Sequence, residues 1–150
     1  MTSNKENEFI DIVNDAGYLA LREPASGAKH DLDVVMVIEG WMYFVEHKYA
    51  GTADNAECRF VIDEDYKGDP GDVNPMIEAA ERVGAVPVLA CRFAYDSTHY
   101  LLDAYEYSDH DAGSVGFKEK DTDEMTPLQE LFGEDGGTGF ETERLEKILS

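Results

Sequence analysis

Apolar positions come in short blocks over the first two thirds of the chain, and their spacing switches between a helical and an extended period. Phe9, Ile12, Val13 and Ala16 share one face of a helix predicted over 3–16, which Gly17 ends. A short strand over 18–22 follows, then a loop over 23–30 holding Pro24, Ser26 and Gly27. Two apolar runs, 32–38 and 41–47, flank Glu39 and Gly40, which reads as a tight hairpin. Residues 51–72 are polar and rich in Asp and Gly, so an extended surface excursion is expected there. Met76, Ile77, Ala80 and Val83 then mark a helix over 74–83, with Pro75 at its first position and Gly84 as its terminator. Residues 86–93 are almost wholly apolar, as a central strand would be, and 100–107 reads as one more strand. The order αβββαββ predicts an α/β fold, a mixed β-sheet flanked by helices.

Past Ser108 the composition turns to Asp, Glu and Gly. The division expected is a 1–107 catalytic domain and a 108–150 acidic C-terminal extension, with a terminal helix over 141–149. A chain of 150 residues is long enough for one real core, and 43% hydrophobic content argues against wholesale disorder. No apolar run is long enough to cross a membrane, and the N-terminus has no signal-peptide pattern. An intracellular protein without a membrane partner is therefore expected. Cys58 and Cys91 lie far apart and predict neither a disulfide framework nor a thiolate metal site.

The charge changes the picture more. With 33 acidic residues against 12 basic ones, the formal charge is -21, which should repel nucleic acid in dilute buffer. Because the acids are spread along the chain, a high-salt host explains them better than a disordered tail does. A DNA-mimicking decoy is the rival explanation.

The informative stretch runs from Asp33 to Lys48. Side chains alternate along a strand, so Glu46 and Lys48 share a face while His47 points the other way. Around the turn at Glu39 and Gly40, residues whose numbers sum to about 79 oppose one another, which sets Asp33 against Glu46. Two carboxylates and an ammonium then occupy one patch. Hard oxygen ligands of this kind suit Mg²⁺, with waters and a substrate phosphate completing its shell. The carbonyl of His47 is a further candidate ligand. Lys48 can orient or help deprotonate a water, or offset charge on a reacting phosphate. By itself an E-x-K triplet is common.

The triplet gains weight from its neighbours. Glu6 in the first helix, Arg22 closing the first strand, Ser26 and Gly27 in the loop, Asp33, and Glu46 with Lys48 stand in one order. In that order the chain resembles the archaeal Holliday junction resolvases of the PD-(D/E)xK nuclease superfamily, over roughly Glu6 to Glu106. The resemblance implies a restriction-endonuclease-like fold and a Mg²⁺-dependent endonuclease, with Mn²⁺ a second candidate metal. It implies a homodimer acting on branched DNA, the four-way junction. It also implies Glu6 as a third acid reaching the metal, against the capping-box reading of Ser3 and Glu6. Arg22, Ser26, Lys5 and Lys29 become DNA-contact candidates, Arg22 through a guanidinium fork on a phosphate. Two features depart from the family: the basic N-terminal segment is reduced to Lys5, and His47 replaces a small apolar residue. A related nuclease on other branched or duplex DNA, and a non-catalytic acidic binding module, remain the alternatives.

Overall fold

A computed structural model describes residues 4–23, 32–63, 71–108 and 113–132. Ser26, Lys29 and the helix expected over 141–149 lie outside these residues. Helix α1 (Asn4–Asp15) and strand β1 (Leu19–Arg22) open the chain, near the expected positions. β2 (Val34–Ile38) and β3 (Trp41–Ala50) form the hairpin. Glu39 and Gly40 both take positive φ, 51° and 83°, as a two-residue turn between right-twisted strands requires. The register pairs Val34 with Val45 and Ile38 with Trp41, as the hairpin arithmetic predicts.

α2 (Asn74–Val83) starts with Pro75 in its first turn and stops at Gly84, whose φ of 75° gives the left-handed cap. It carries the chain across to β5 (Val86–Phe93), which lies parallel to β3. The main sheet has six strands in the order β1-β2-β3-β5-β6-β8, with β6 spanning Asp96–Asp103 and β8 Thr126–Pro127. Every residue of β5 is buried, as a central strand covered on both faces should be. Phe9, Val13, Val34, Met36, Val45 and Val88 fill the layer under α1. Phe44, Leu89, Met76 and Ala80 fill the layer under α2. No helix among the described residues is long and apolar enough to cross a membrane.

Three expectations need correction. The stretch 51–72 is not all surface: Cys58–Val61 forms β4, pairs with β7 (Ser114–Phe117), and buries Cys58 and Phe60 completely or nearly so. A four-residue alternation in a polar stretch is too short to be recognised without its distant partner strand. The strand expected over 100–107 begins at Asp96 and ends at Asp103, whose carboxylate caps the 3-10 turn Ala104–Tyr107 by accepting from Tyr105 N–H at 3.0 Å. Nor does the body end near Ser108, because Phe117, Met125, Leu128 and Leu131 are buried in the two core layers.

Candidate active site

Asp33 stands one residue before β2, where its backbone N–H still donates to Val45 C=O at 2.9 Å. Its carboxylate crosses to β3 and accepts from the His47 N–H at 2.9 Å. The acid is thereby tied to the peptide that joins Glu46 to Lys48. Glu46 and Lys48 share the parity of Phe44 and Ala50, which face α2. Lys48 Nζ lies 3.9 Å from Glu46 Oε2 and 3.5 Å from Asp72 Oδ1. Asp72 arrives from the loop before α2, where its other oxygen accepts from Val61 N–H at 2.8 Å. Its own N–H donates to Val61 C=O at 2.7 Å, so β4 holds the residue at two points.

On the α1 face, Arg22 Nε donates to Glu6 Oε1 at 2.7 Å and its Nη2 donates to Asn7. Arg22 pairs in the sheet with Val34, the residue after Asp33, which fixes the ion pair on the strand beside the one that Asp33 precedes. Lys5 lies 3.8 Å from Glu8 and 5.5 Å above the Tyr49 ring. The His47 ring turns under α1, away from the acids. Its Nε2 lies 3.0 Å from His99 Nδ1, and His99 Nε2 lies 2.7 Å from Glu8 Oε1. Arg92 Nε donates to the same Glu8 oxygen at 2.8 Å. A neutral His99 that donates to Glu8 accepts at Nδ1, so His47 donates to it. Phe9 sets an edge against both rings. Of the metal candidates, His47 therefore offers no imidazole to the acid side, and only its backbone remains near Asp33.

A family model described as archaeal Holliday junction resolvase (hjc) matches residues 2–138. The chain belongs to that family. Among solved structures, the Archaeoglobus fulgidus Holliday junction resolvase Hjc is similar at 15% identity and a TM-score of 0.67, over 88% of this chain and 100% of that one. A bacterial homing endonuclease is similar at 12% identity and a TM-score of 0.53, over 95% of this chain and 93% of that one. Both likenesses concern the fold, and the six-stranded mixed sheet flanked by helices is the nuclease sheet expected from the resemblance. No curated protein matches.

Within this resolvase-family fold the acid cluster is electrostatically loaded. Burial raises the Glu46 pKa well above the ordinary value; Asp33 and Asp72 push it further, and Lys48 opposes them. Burial alone would lower the Lys48 pKa, but Asp72, Glu46 and Asp33 outweigh it and raise the value. Behind the strand, burial and then the neighbouring His99 lower the His47 pKa to about 3. Burial likewise lowers that of His99, although Glu8 resists.

Sequence reasoning missed Asp72, Glu8, Arg92 and His99. Asp72 is one of several acids in a polar stretch, and nothing local marks it out. Glu8 and His99 meet across a sequence separation of 91 residues. Cys58 and Cys91 are both free and buried, and Cys58 Sγ sits 3.5 Å from Lys48 C=O.

Proposed function

We propose that this resolvase-family chain is a Mg²⁺-dependent endonuclease that resolves four-way DNA junctions by paired phosphodiester hydrolysis, acting as a homodimer. The observation that carries the reading is the meeting of Asp33, Glu46 and Lys48 at the end of the hairpin, with Asp33 tied to the peptide between the other two.

The residues fit a divalent cation. Three carboxylates, Asp33, Glu46 and Asp72, face one ammonium, a formal charge of -2 when all are ionised. Among the described residues no group of three or more Asp, Glu, His or Cys side chains could by itself hold a metal ion. Mg²⁺ needs only one or two carboxylates, with waters and a phosphate completing its shell. Asp33 and Glu46 would hold the ion, with Glu6 from α1 and the His47 carbonyl as further ligands. When bound, the metal supplies Lewis acidity to the scissile phosphate and makes water near it easier to deprotonate.

The chain's own groups do the rest. Lys48, held charged by its acidic neighbours, orients the attacking water and offsets negative charge as the phosphate becomes five-coordinate. Its raised pKa favours that role over removal of a proton. Arg22, held by Glu6 and Asn7, offers a guanidinium for a flanking phosphate, with Lys5, Lys29 and Ser26 as further contacts. The homodimer reading draws on Leu19, Leu21 and Met42, which are 52%, 57% and 39% exposed; Leu19 and Met42 both register with Val37 across strands β1 to β3. A two-fold junction needs two cuts related by one axis. Sedimentation of a monomer in the presence of junction would remove that part of the reading.

The deciding experiment compares cleavage of a four-way junction, a flap and a linear duplex with Mg²⁺ in molar KCl. The wild type should cut the junction preferentially, and Glu46→Gln should lose about 10²–10³-fold or more in rate. Equal cutting of linear duplex would point to a related nuclease. No metal-dependent cutting, with Glu46→Gln indistinguishable, would leave an acidic binding module.

A further inference from the structure

In a chain with 33 acidic residues and 12 basic ones, a surface cation has carboxylates in abundance to pair with. Lys5, Arg22, Lys48, Arg59 and Arg92 are each ion-paired, and Arg82 is also engaged. Among the described residues, Lys118 and Lys120 have no ion-pair partner. Both line one cavity of about 260 Å³, together with Ala50, Phe93, Tyr95 and Glu119. The nearby Asp121 carboxylate is committed to the Lys118 backbone N–H at 2.8 Å. Two ammoniums against Glu119 make the cavity lining net positive in a chain of charge -21.

The place matters as much as the charge. Ala50 and Phe93 are the last residues of β3 and β5, the parallel pair, and ligands of open α/β sheets gather beyond such strand ends. Ala50 follows Lys48 by two residues on the same face of β3, roughly 7 Å along the strand. Tyr95, in the turn between β5 and β6, is 80% exposed at the cavity wall. An exposed ring beside unpaired cations is the pairing that holds a nucleic-acid backbone and stacks an unpaired base.

We propose that this cavity is a second DNA contact, contiguous with the acid cluster. Lys118 and Lys120 bind backbone phosphates beside the scissile one, and Tyr95 stacks a base freed at the branch. The inference rests on the nuclease reading and names where that site grips its substrate. Successive phosphates advance about 3.4 Å per nucleotide along the duplex axis. A strand cut at Lys48 thus carries its next two or three phosphates over Ala50 and into the cavity.

The test measures binding of a four-way junction by fluorescence anisotropy, with Ca²⁺ replacing Mg²⁺ so that the DNA stays whole. Full-length wild type is compared with Lys118→Gln/Lys120→Gln across a fourfold rise in KCl. Each lost phosphate contact lowers the log–log salt slope by about 0.9, so the wild type should lose roughly tenfold more affinity than the variant over that range. Lys118→Arg/Lys120→Arg should restore the slope. Tyr95→Ala should weaken junction binding about tenfold, while Tyr95→Phe should not. A glutamine variant with the wild-type slope, beside a wild type that binds and cuts, overturns this inference alone. A wild type that neither binds nor cuts overturns the nuclease reading and this inference with it.

Discussion

His47 links the two faces of β3, since its backbone N–H holds Asp33 while its ring is buried against His99. Its pKa is lowered to about 3, chiefly by burial, whereas an unfolded histidine titrates near the ordinary 6.5. Below pH 6.5 the unfolded chain therefore takes up a proton that the folded one refuses. Stability is full above that value and falls as pH drops towards about 3. At pH 5 the loss from this residue is RT ln(1 + 10^1.5), about 2 kcal/mol. That figure is set almost wholly by the unfolded value, because the folded ring is still neutral at pH 5. His99, also lowered, adds to the loss in the same direction. The assay is urea unfolding at constant ionic strength at pH 7.5 and pH 5, for the wild type and for His47→Leu. The raised pKa of Glu46 acts in the opposite direction in both proteins, so the wild type should lose about 2 kcal/mol more than the variant between the two conditions. Equal losses in both proteins would show that His47 is not buried neutral, and the account of this face would fail.

Two other perturbations probe parts of the structure that local pattern did not reveal. Asp72→Asn should lower junction cleavage at saturating DNA by about 10–100-fold with little change in affinity, because it frees Lys48 from its nearer carboxylate. A weaker affinity with unchanged turnover would instead make Asp72 a substrate contact. Phe60→Ala should cost about 3–5 kcal/mol of unfolding free energy, since the ring is fully buried against Phe117. A loss under about 1 kcal/mol would mean that β4 is not part of the core.

Helices and strands with four or more periodic apolar residues were legible in the sequence, because the face they bury is encoded every two or three to four residues. α1, α2, β5 and the β2–β3 hairpin are of that kind, each bounded by its own Gly or Pro signal. The proximity of Asp33 to Glu46 was legible for the same reason. A two-residue turn fixes register, and register places side chains whatever the rest of the fold does.

What depended on distance along the chain was not legible. β4 becomes a strand through β7, which lies far downstream. Leu128 and Leu131 read as part of an acidic tail until β8 brings them against the sheet. Asp72 joins Lys48 because β4 anchors its loop, and Glu8 meets His99 because α1 packs on the sheet face that carries the His47 and His99 rings. The amino-acid order by itself settled the hairpin and the acids it carries, since those contacts span few residues and one turn. Tertiary structure alone decided which further charges surround them, because long-range pairing is chosen by the whole core and leaves no periodic trace in either partner.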